Sequence, residues 1–316
     1  MQRLDRVLAV IDPTMDAQAG AAKAARLARL AGASLELFVC DFDPALSGAP
    51  FFDTDTLKRQ REDFVARRRE RLERLAEEFR TPGLEVTTHV HWDNPLHAGI
   101  LRRVAEWAPD LVVKDTHYHS PLRRALLSHT DWQLIRACPV PLLLAKPVEW
   151  PARPRVLAAL DPTHRHAKPA ALDGDILDAA LLVAGLLEGR VEAVHAFFPA
   201  ALLAATAGMA GTPLAADVAT EDVIEAERAT LGRELADLLA SRGLEAGAVR
   251  LLQGSAAELL PRHAEQAEAA LVVMGAVSRS RIKDWFVGST AERVLDRLPC
   301  DVLVIKPTDF ANGLPF

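Results

Sequence analysis

The sequence predicts two tandem α/β domains, each built on a five-stranded parallel sheet of the doubly wound, Rossmann-like type. Two observations carry this expectation. The chain repeats itself in order along its length, and each copy alternates short apolar runs with longer amphipathic segments. Val7-Leu-Ala-Val-Ile-Asp-Pro-Thr14 recurs as Val156-Leu-Ala-Ala-Leu-Asp-Pro-Thr163, identical at six of eight positions. Leu111-Val-Val113 recurs as Leu271-Val-Val273, and Pro139–Pro147 (PVPLLLAKP) matches Pro299–Pro307 (PCDVLVIKP). The Pro-rich stretch from Lys146 to Pro154 separates the copies, which places the domains at residues 1–149 and 150–316.

In the first copy, strands are expected near 6–11, 35–40, 84–90, 110–114 and 140–145. A long helix spans about 55–80 and carries Arg67-Arg-Arg-Glu-Arg-Leu-Glu-Arg74. The interleaved glutamates make this a solvated face laced with i,i+4 pairs rather than a nucleic-acid patch. In the second copy, strand Val156–Leu160 ends in Asp-Pro and is followed by a helix around Asp175–Leu187 that stops at Gly189. Then come strand Val191–Phe198, helix Glu221–Ser241, strand Ala248–Gln253, helix Ala256–Glu265, strand Ala270–Met274, helix Thr290–Leu298 and strand Asp301–Lys306. Five strands joined by four helical crossovers require a parallel sheet covered on both faces.

Composition limits the function classes. The 316 residues are half hydrophobic and a quarter charged, which is globular and neither disordered nor collagen-like. Thirty-seven basic against 43 acidic residues give a net charge of −6, so no global basic balance favours nucleic acid. Cys40, Cys138 and Cys300 lie far apart, with no CxxC or Cys/His metal spacing, as expected for reduced thiols in a cytoplasm. The opening MQRLDRVLAVIDP has charges scattered through its apolar run and does not read as a signal peptide. The uncharged stretch Ala193–Ala216 is long enough to span a membrane, but Pro199, Gly208, Gly211 and Pro213 interrupt it. A soluble strand and loop is the better reading, the loop packing on its own domain or walling an apolar cavity for an acyl chain.

Ligands of open parallel sheets bind beyond the carboxyl ends of strands, where strand order reverses. In the second copy Asp161 and the adjoining Pro162 close the first strand, and Gly275 closes the fourth. From Gly275 runs a loop to Gly288-Ser289-Thr290, containing Arg279, Arg281 and Lys283 against Asp284. Glycines at 275 and 288 allow backbone amides to approach a phosphate, and the helix start adds free N–H groups and two hydroxyls. The competing reading is ordinary: Gly-Ser-Thr before a helix is capping chemistry, and Gly after a strand is a turn.

The pattern Gly275-x-x-Ser278-x9-Gly288-Ser289-Thr290, then a helix and Pro-Cys-Asp-Val-Leu-Val-Ile, resembles the nucleotide loop of the universal stress protein family. The duplication, with Thr130-Asp-Trp-Gln-Leu-Ile-Arg-Ala-Cys-Pro139 in the first copy, resembles the tandem E-type members. The resemblance covers almost the whole chain. It implies a five-stranded fold that binds adenine nucleotide in some members, with Asp161 and Pro162 by the ribose or adenine. It also implies that Gly275, Ser278, Gly288, Ser289 and Thr290 surround the phosphates of an ATP carried with Mg. Ser278 replaces the family's second glycine, and its Cβ narrows the space for backbone wrapping.

The first copy departs further. Asp115 aligns with Gly275, Tyr118 with Ser278, and Ser128-His-Thr130 with Gly288-Ser-Thr290, so a carboxylate stands where phosphates would lie and no triphosphate site is expected. This copy instead holds His89, His91, His97, His117, His119 and His129. Two His-x-His pairs with Asp115 suit a transition metal, yet neither has a familiar metal spacing, and polar lining of a degenerate crevice is the plainer account. No P-loop, Gly-x-Ser-x-Gly elbow or Gly-x-Gly-x-x-Gly is present.

The function expected is a cytoplasmic stress-response protein that acts by ligand binding in the second domain, without turnover as its main role. The runner-up is a carrier or sensor of an apolar or amphiphilic small molecule, and a slow ATPase or phosphotransfer protein is a weaker third. The last strands are short and apolar, so the domains are expected to pair as an intramolecular pseudo-dimer, with a homodimer as a further assembly. Neither nucleic acid nor membrane insertion is expected.

Overall fold

The structure is a computed structural model that describes residues 1, 3–47, 55–116, 127–162, 171–199, 221–279, 285–307 and 310; at 246, 277–279 and 285–286 it describes the backbone alone. Two compact units emerge, one of Met1–Trp150 and one of Pro151–Thr308.

The first unit runs β1 (Arg6–Val10), α1 (Ala19–Ala31), β2 (Ser34–Asp41), α2 (Asp55–Phe79), β3 (Val86–Trp92), α3 (Leu96–Trp107), β4 (Leu111–Asp115), α4 (His129–Ala137) and β5 (Leu142–Ala145). All pairings among these strands are parallel and give the order β3-β2-β1-β4-β5. β4 and β5 are buried at every residue, as strands covered on both faces must be. Strand alternation distributes β2 to two helix layers. Asp41 on one face binds Arg68 of α2 at 2.6 Å, whereas Glu36 on the other is gripped by Arg103 of α3. Phe38, Leu35 and Leu37, all fully buried, hold the centre of this core. Helix α1 ends on Gly32, whose φ of +67° closes the last turn with bonds to Ala28 and Arg29.

The second unit repeats the plan with β6 (Arg155–Ala159), α5 (Ala171–Leu186), β7 (Arg190–Phe197), α6 (Glu221–Ala240), β8 (Val249–Gln253), α7 (Ala256–Gln266), β9 (Leu271–Gly275), β10 (Val277–Arg279), β11 (Trp285–Val287), α8 (Ser289–Leu295) and β12 (Asp301–Ile305). Its parallel order is β12-β9-β6-β7-β8. The repeat extends to register: Val7 pairs with Leu111, and its counterpart Val156 pairs with Leu271. Helix layers again lie on both faces, since Glu192 meets His263 of α7 while Phe197, five residues on, lies under Arg228 of α6.

Two details depart from expectation. The stretch after Gly275 is not an open loop, because β10 and β11 form a short antiparallel ladder inside it. Three-residue strands are too short to show an alternation in sequence. At the end of α5, the left-handed residue is Glu188 (φ +52°) rather than Gly189. Gly189 serves close approach instead, since a Cβ there would stand 2.3 Å from the Pro154 carbonyl oxygen. The uncharged stretch enters β7 and continues to Pro199; its remainder, including Leu202, Leu203, Met209 and Leu214, lies outside the described residues. Among the described residues, no helix is long and apolar enough to cross a membrane.

Candidate ligand-binding crevice

In the second unit, strand order reverses between β6 and β9, which lie side by side with Ala159 opposite Met274. The chain leaves both strands at their carboxyl ends, so Asp161 and Pro162 on one side and Gly275 on the other flank the same gap. The Asp161 amide donates to Asp173 Oδ1 at 3.0 Å. Asp173 belongs to the first turn of α5 and is 3% exposed, so it fixes the backbone while the Asp161 side chain keeps partial access to solvent. Beside them, the His195 Nδ1 lies 2.9 Å from the Leu160 carbonyl oxygen, where β6 has ended.

Gly275 packs closely against α5. A Cβ there would come within 2.9 Å of Leu172 Cδ2 and 3.7 Å of Ile176 Cδ1, both on α5. The backbone of Ser278 is a rung of the β10–β11 ladder, opposite Phe286. Gly288 returns to the end of β9, its amide donating to the Ala276 carbonyl at 3.2 Å. It is the N-cap of α8, with extended φ and ψ and no side chain to cap the helix. Ser289 and Thr290, the first residues of α8, are exposed. Asp161, Pro162, Gly275, Ser278, Gly288, Ser289 and Thr290 are thus drawn to one end of one sheet. Arg281, Lys283 and Asp284 lie outside the described residues.

The corresponding place in the first unit is filled by protein. Asp115, 4% exposed, accepts from the Gly20 amide at 2.7 Å and covers the start of α1. Ser128 caps α4 reciprocally with Asp131: the Ser128 Oγ accepts from the Asp131 amide, and Asp131 Oδ2 accepts from the Ser128 amide at 2.7 Å. Asp131 Oδ1 faces Lys114 Nζ at 2.8 Å, and that ammonium also donates to the Asp115 carbonyl at 3.0 Å. The second unit has Met274 and Ala291 where the first has Lys114 and Asp131.

The first unit does keep a cleft further along the same edge, of about 470 Å³. Ile11, Asp12, Val39 and Leu72 line it, with Arg68 and Arg71 of α2. Arg71 donates to the Pro13 carbonyl at 3.0 Å. The histidines of this unit group around other residues. His89 and His91 share a face of β3, their rings 5.9 and 6.5 Å from Phe38. Burial first, then Arg103, holds His89 below the usual imidazole range. His97 and His129 meet edge to face at 6.2 Å. His117 and His119 lie outside the described residues, among which no cluster of metal-ligating side chains occurs.

The universal stress protein family model matches residues 3–146 and again 155–306, so it matches each unit separately. The chain belongs to the universal stress protein family. Universal stress protein E of Escherichia coli is 27% identical over 315 residues, 98% of this chain and 96% of that one. The universal stress protein E homolog of Haemophilus influenzae is 24% identical over 314 residues, covering 97% of this chain and 98% of its own. Among solved structures, a functionally unknown protein of Pseudomonas aeruginosa superposes with a TM-score of 0.74 at 26% identity, covering 99% of this chain and 96% of that one. A universal stress protein of Archaeoglobus fulgidus shares the fold at 17% identity, with a TM-score of 0.62 over 95% of this chain and 98% of its own. Tandem universal stress protein domains therefore account for residues 3–146 and 155–306. Asp161, Gly275 and Gly288 lie at or just beyond the strand and helix ends where the sequence puts them. Asp173 and His195, which bond the backbone at the end of β6, sit inside regular elements, where no turn or cap residue marks them in the sequence.

Proposed function

We propose that this universal stress protein acts in the stress response by binding an adenine nucleotide in its second domain, without turnover as its main role. The observation that carries the reading is the contrast between two equivalent helix starts. In the second domain, Gly288 begins α8 with no side-chain cap among the described residues. In the first, the Asp115 carboxylate and the Ser128–Asp131–Lys114 group fill the same place. Under this reading Gly288, Ser289 and Thr290 receive the phosphates with Mg, and Asp161 and Pro162 flank the ribose or base. Gly275 and Ser278 form the loop wall between them. The first domain takes no triphosphate, since its own carboxylates would repel one. Cytoplasmic residence fits three buried thiols with no disulfide among them.

Calorimetric titration of the full chain with ATP and Mg tests the reading. One site per chain is expected; no heat of binding at millimolar nucleotide removes it.

A further inference from the structure

The cleft of the first domain lies between α2 and the chain that leaves β1, and its 470 Å³ falls within the roughly 300–1,000 Å³ of small-molecule sites. Its least exposed lining residues are Ile11, Val39 and Leu72. Val39 stands on the face of β2 that also carries Asp41, the face that α2 covers. Leu75 and Met15 add further apolar wall, and the unbranched methionine adapts to the shape of whatever it meets. None of the described residues lining the cleft is aromatic. The surface offered is aliphatic, with no ring for stacking.

The charges at the cleft balance formally, with Arg68, Arg71 and Arg74 set against Asp12, Asp16 and Glu78. The three guanidinium groups are not equivalent. Arg68 is held by Asp41 at 2.6 Å, and Arg74 by Glu70 at 2.9 Å. Arg71 instead reaches from α2 to the opposite wall, where its Nη1 donates to the Pro13 carbonyl at 3.0 Å. The carboxylate that faces it, Asp16, is fully exposed and stands 3.7 Å from Nη2, too far for a hydrogen bond. Asp12 turns to Thr14, whose amide and hydroxyl both donate to its Oδ1. Arg71 is thus fixed in place across an aliphatic cleft and loosely paired, and a guanidinium fork matches a carboxylate.

We propose that this cleft is a ligand site of the first domain for an aliphatic monocarboxylate of the fatty-acid class. The chain lies on Ile11, Val39 and Leu72, and the carboxylate takes the place of Asp16 on Arg71. The charge balance sets the selectivity. One carboxylate substitutes for another at the same cation, whereas a phosphate dianion brings extra negative charge beside Asp12 and Glu78. An alcohol of equal length fills the cleft and gains nothing from Arg71. The proposal is independent of nucleotide binding in the second domain.

The test titrates the full chain with decanoate, decyl phosphate and decanol. Decanoate is expected to bind once per chain, about ten- to a hundred-fold more tightly than decanol, the worth of hydrogen bonds between charged groups. Decyl phosphate should bind roughly ten-fold more weakly than decanoate, through like-charge repulsion. Arg71→Gln, at an exposed position, should bring decanoate to the level of decanol and leave decanol unchanged. Circular dichroism checks the variant's fold. Carbon NMR of methyl-labelled methionine locates the ligand: the Met15 signal, assigned through Met15→Leu, moves with decanoate, while that of Met274 in β9 stays. Absence of binding at millimolar decanoate overturns the proposal, as does movement of Met274 in place of Met15. Equal affinity for decanoate and decyl phosphate, or full decanoate affinity in Arg71→Gln, overturns it as well. None of these outcomes depends on ATP, so the failure of this site and the failure of the nucleotide reading are told apart.

Discussion

Lys114 Nζ stands 2.8 Å from Asp131 Oδ1, and the Asp131 side chain is wholly shut away from solvent. The pair joins the last turn of a central strand to the first turn of the helix that follows. Through Asp131 it continues into the Ser128 cap, and through Lys114 into the carbonyl of Asp115. One chain of polar contacts thus occupies the place where the second domain has the apolar Met274 and Ala291. The duplicated copies differ here in chemistry while sharing backbone register.

Lys114→Met leaves Asp131 buried beside no cation. The expected cost is about 3–5 kcal/mol, the usual penalty for breaking a buried ion pair from one side. Adding Asp131→Ala recreates the apolar pair found at Met274 and Ala291. It should recover most of that loss, short of about 1 kcal/mol for the missing cap. Urea denaturation of the single and double variants measures both. A double variant no more stable than Lys114→Met would show that the ion pair is not what sets the cost.

The Cys40 thiol is pushed up to about 12, by burial first and by the neighbouring Asp41 second. Thiolate is the reactive species, and Cys138 and Cys300 are buried as well. Native protein at pH 8 should therefore resist iodoacetamide at all three thiols over hours, with complete labelling in urea. Rapid labelling of Cys40 in the native state would contradict its position between β2 and the Asp93–Gly99 segment, where its Sγ lies 3.9 Å from the Asp93 carbonyl oxygen.

How far the sequence reached can be judged from particular residues. Val7 and Val156 announced the first strand of each copy because a buried parallel strand is apolar on both faces, and their common register with Leu111 and Leu271 followed. Asp161, Gly275 and Gly288 were legible for a related reason: strand and helix ends are written locally, in Asp-Pro, Gly and Gly-Ser-Thr. Contacts between distant segments were not. Nothing next to His195 indicates that its partner is the Leu160 carbonyl, and nothing next to Lys114 points to Asp131. One local signal was overlooked, since Ser128-x-x-Asp131 has the spacing of a reciprocal cap.

His89 makes the first domain sensitive to acid. Its imidazole is held below the ordinary range by burial and then by Arg103, against the opposing pull of Glu36 and Glu106, with His91 adding to the depression. The unfolded chain therefore takes up a proton at a higher pH than the folded one. Stability is full above the unfolded value near 6.5 and falls as the pH drops through the folded value. Urea midpoints should decline from pH 7.5 to 5, and His89→Gln should flatten that decline while keeping a polar side chain stacked by Phe38. An unchanged slope in the variant would assign the acid sensitivity to other groups.

Ser128 and Gly288 stand at equivalent helix starts, and replacing each with valine separates their roles. At Gly288, a branched side chain would project beside the amides proposed to meet the phosphates, where glycine now leaves the N-cap bare. Gly288→Val should therefore abolish binding of a fluorescent ATP analogue. Its backbone conformation, φ −70° and ψ 142°, is one that valine adopts freely, so the loss would not stem from strain. At Ser128 the outcome should be the reverse. Valine there removes the hydroxyl that accepts from the Asp131 amide and bonds Asp131 Oδ2 at 2.8 Å. The first domain should lose about 1 kcal/mol of stability while nucleotide titration stays unchanged. Equal losses of binding from both substitutions would mean that the first domain takes part in the site. Binding that survives Gly288→Val would show that the phosphates do not lie at the start of α8.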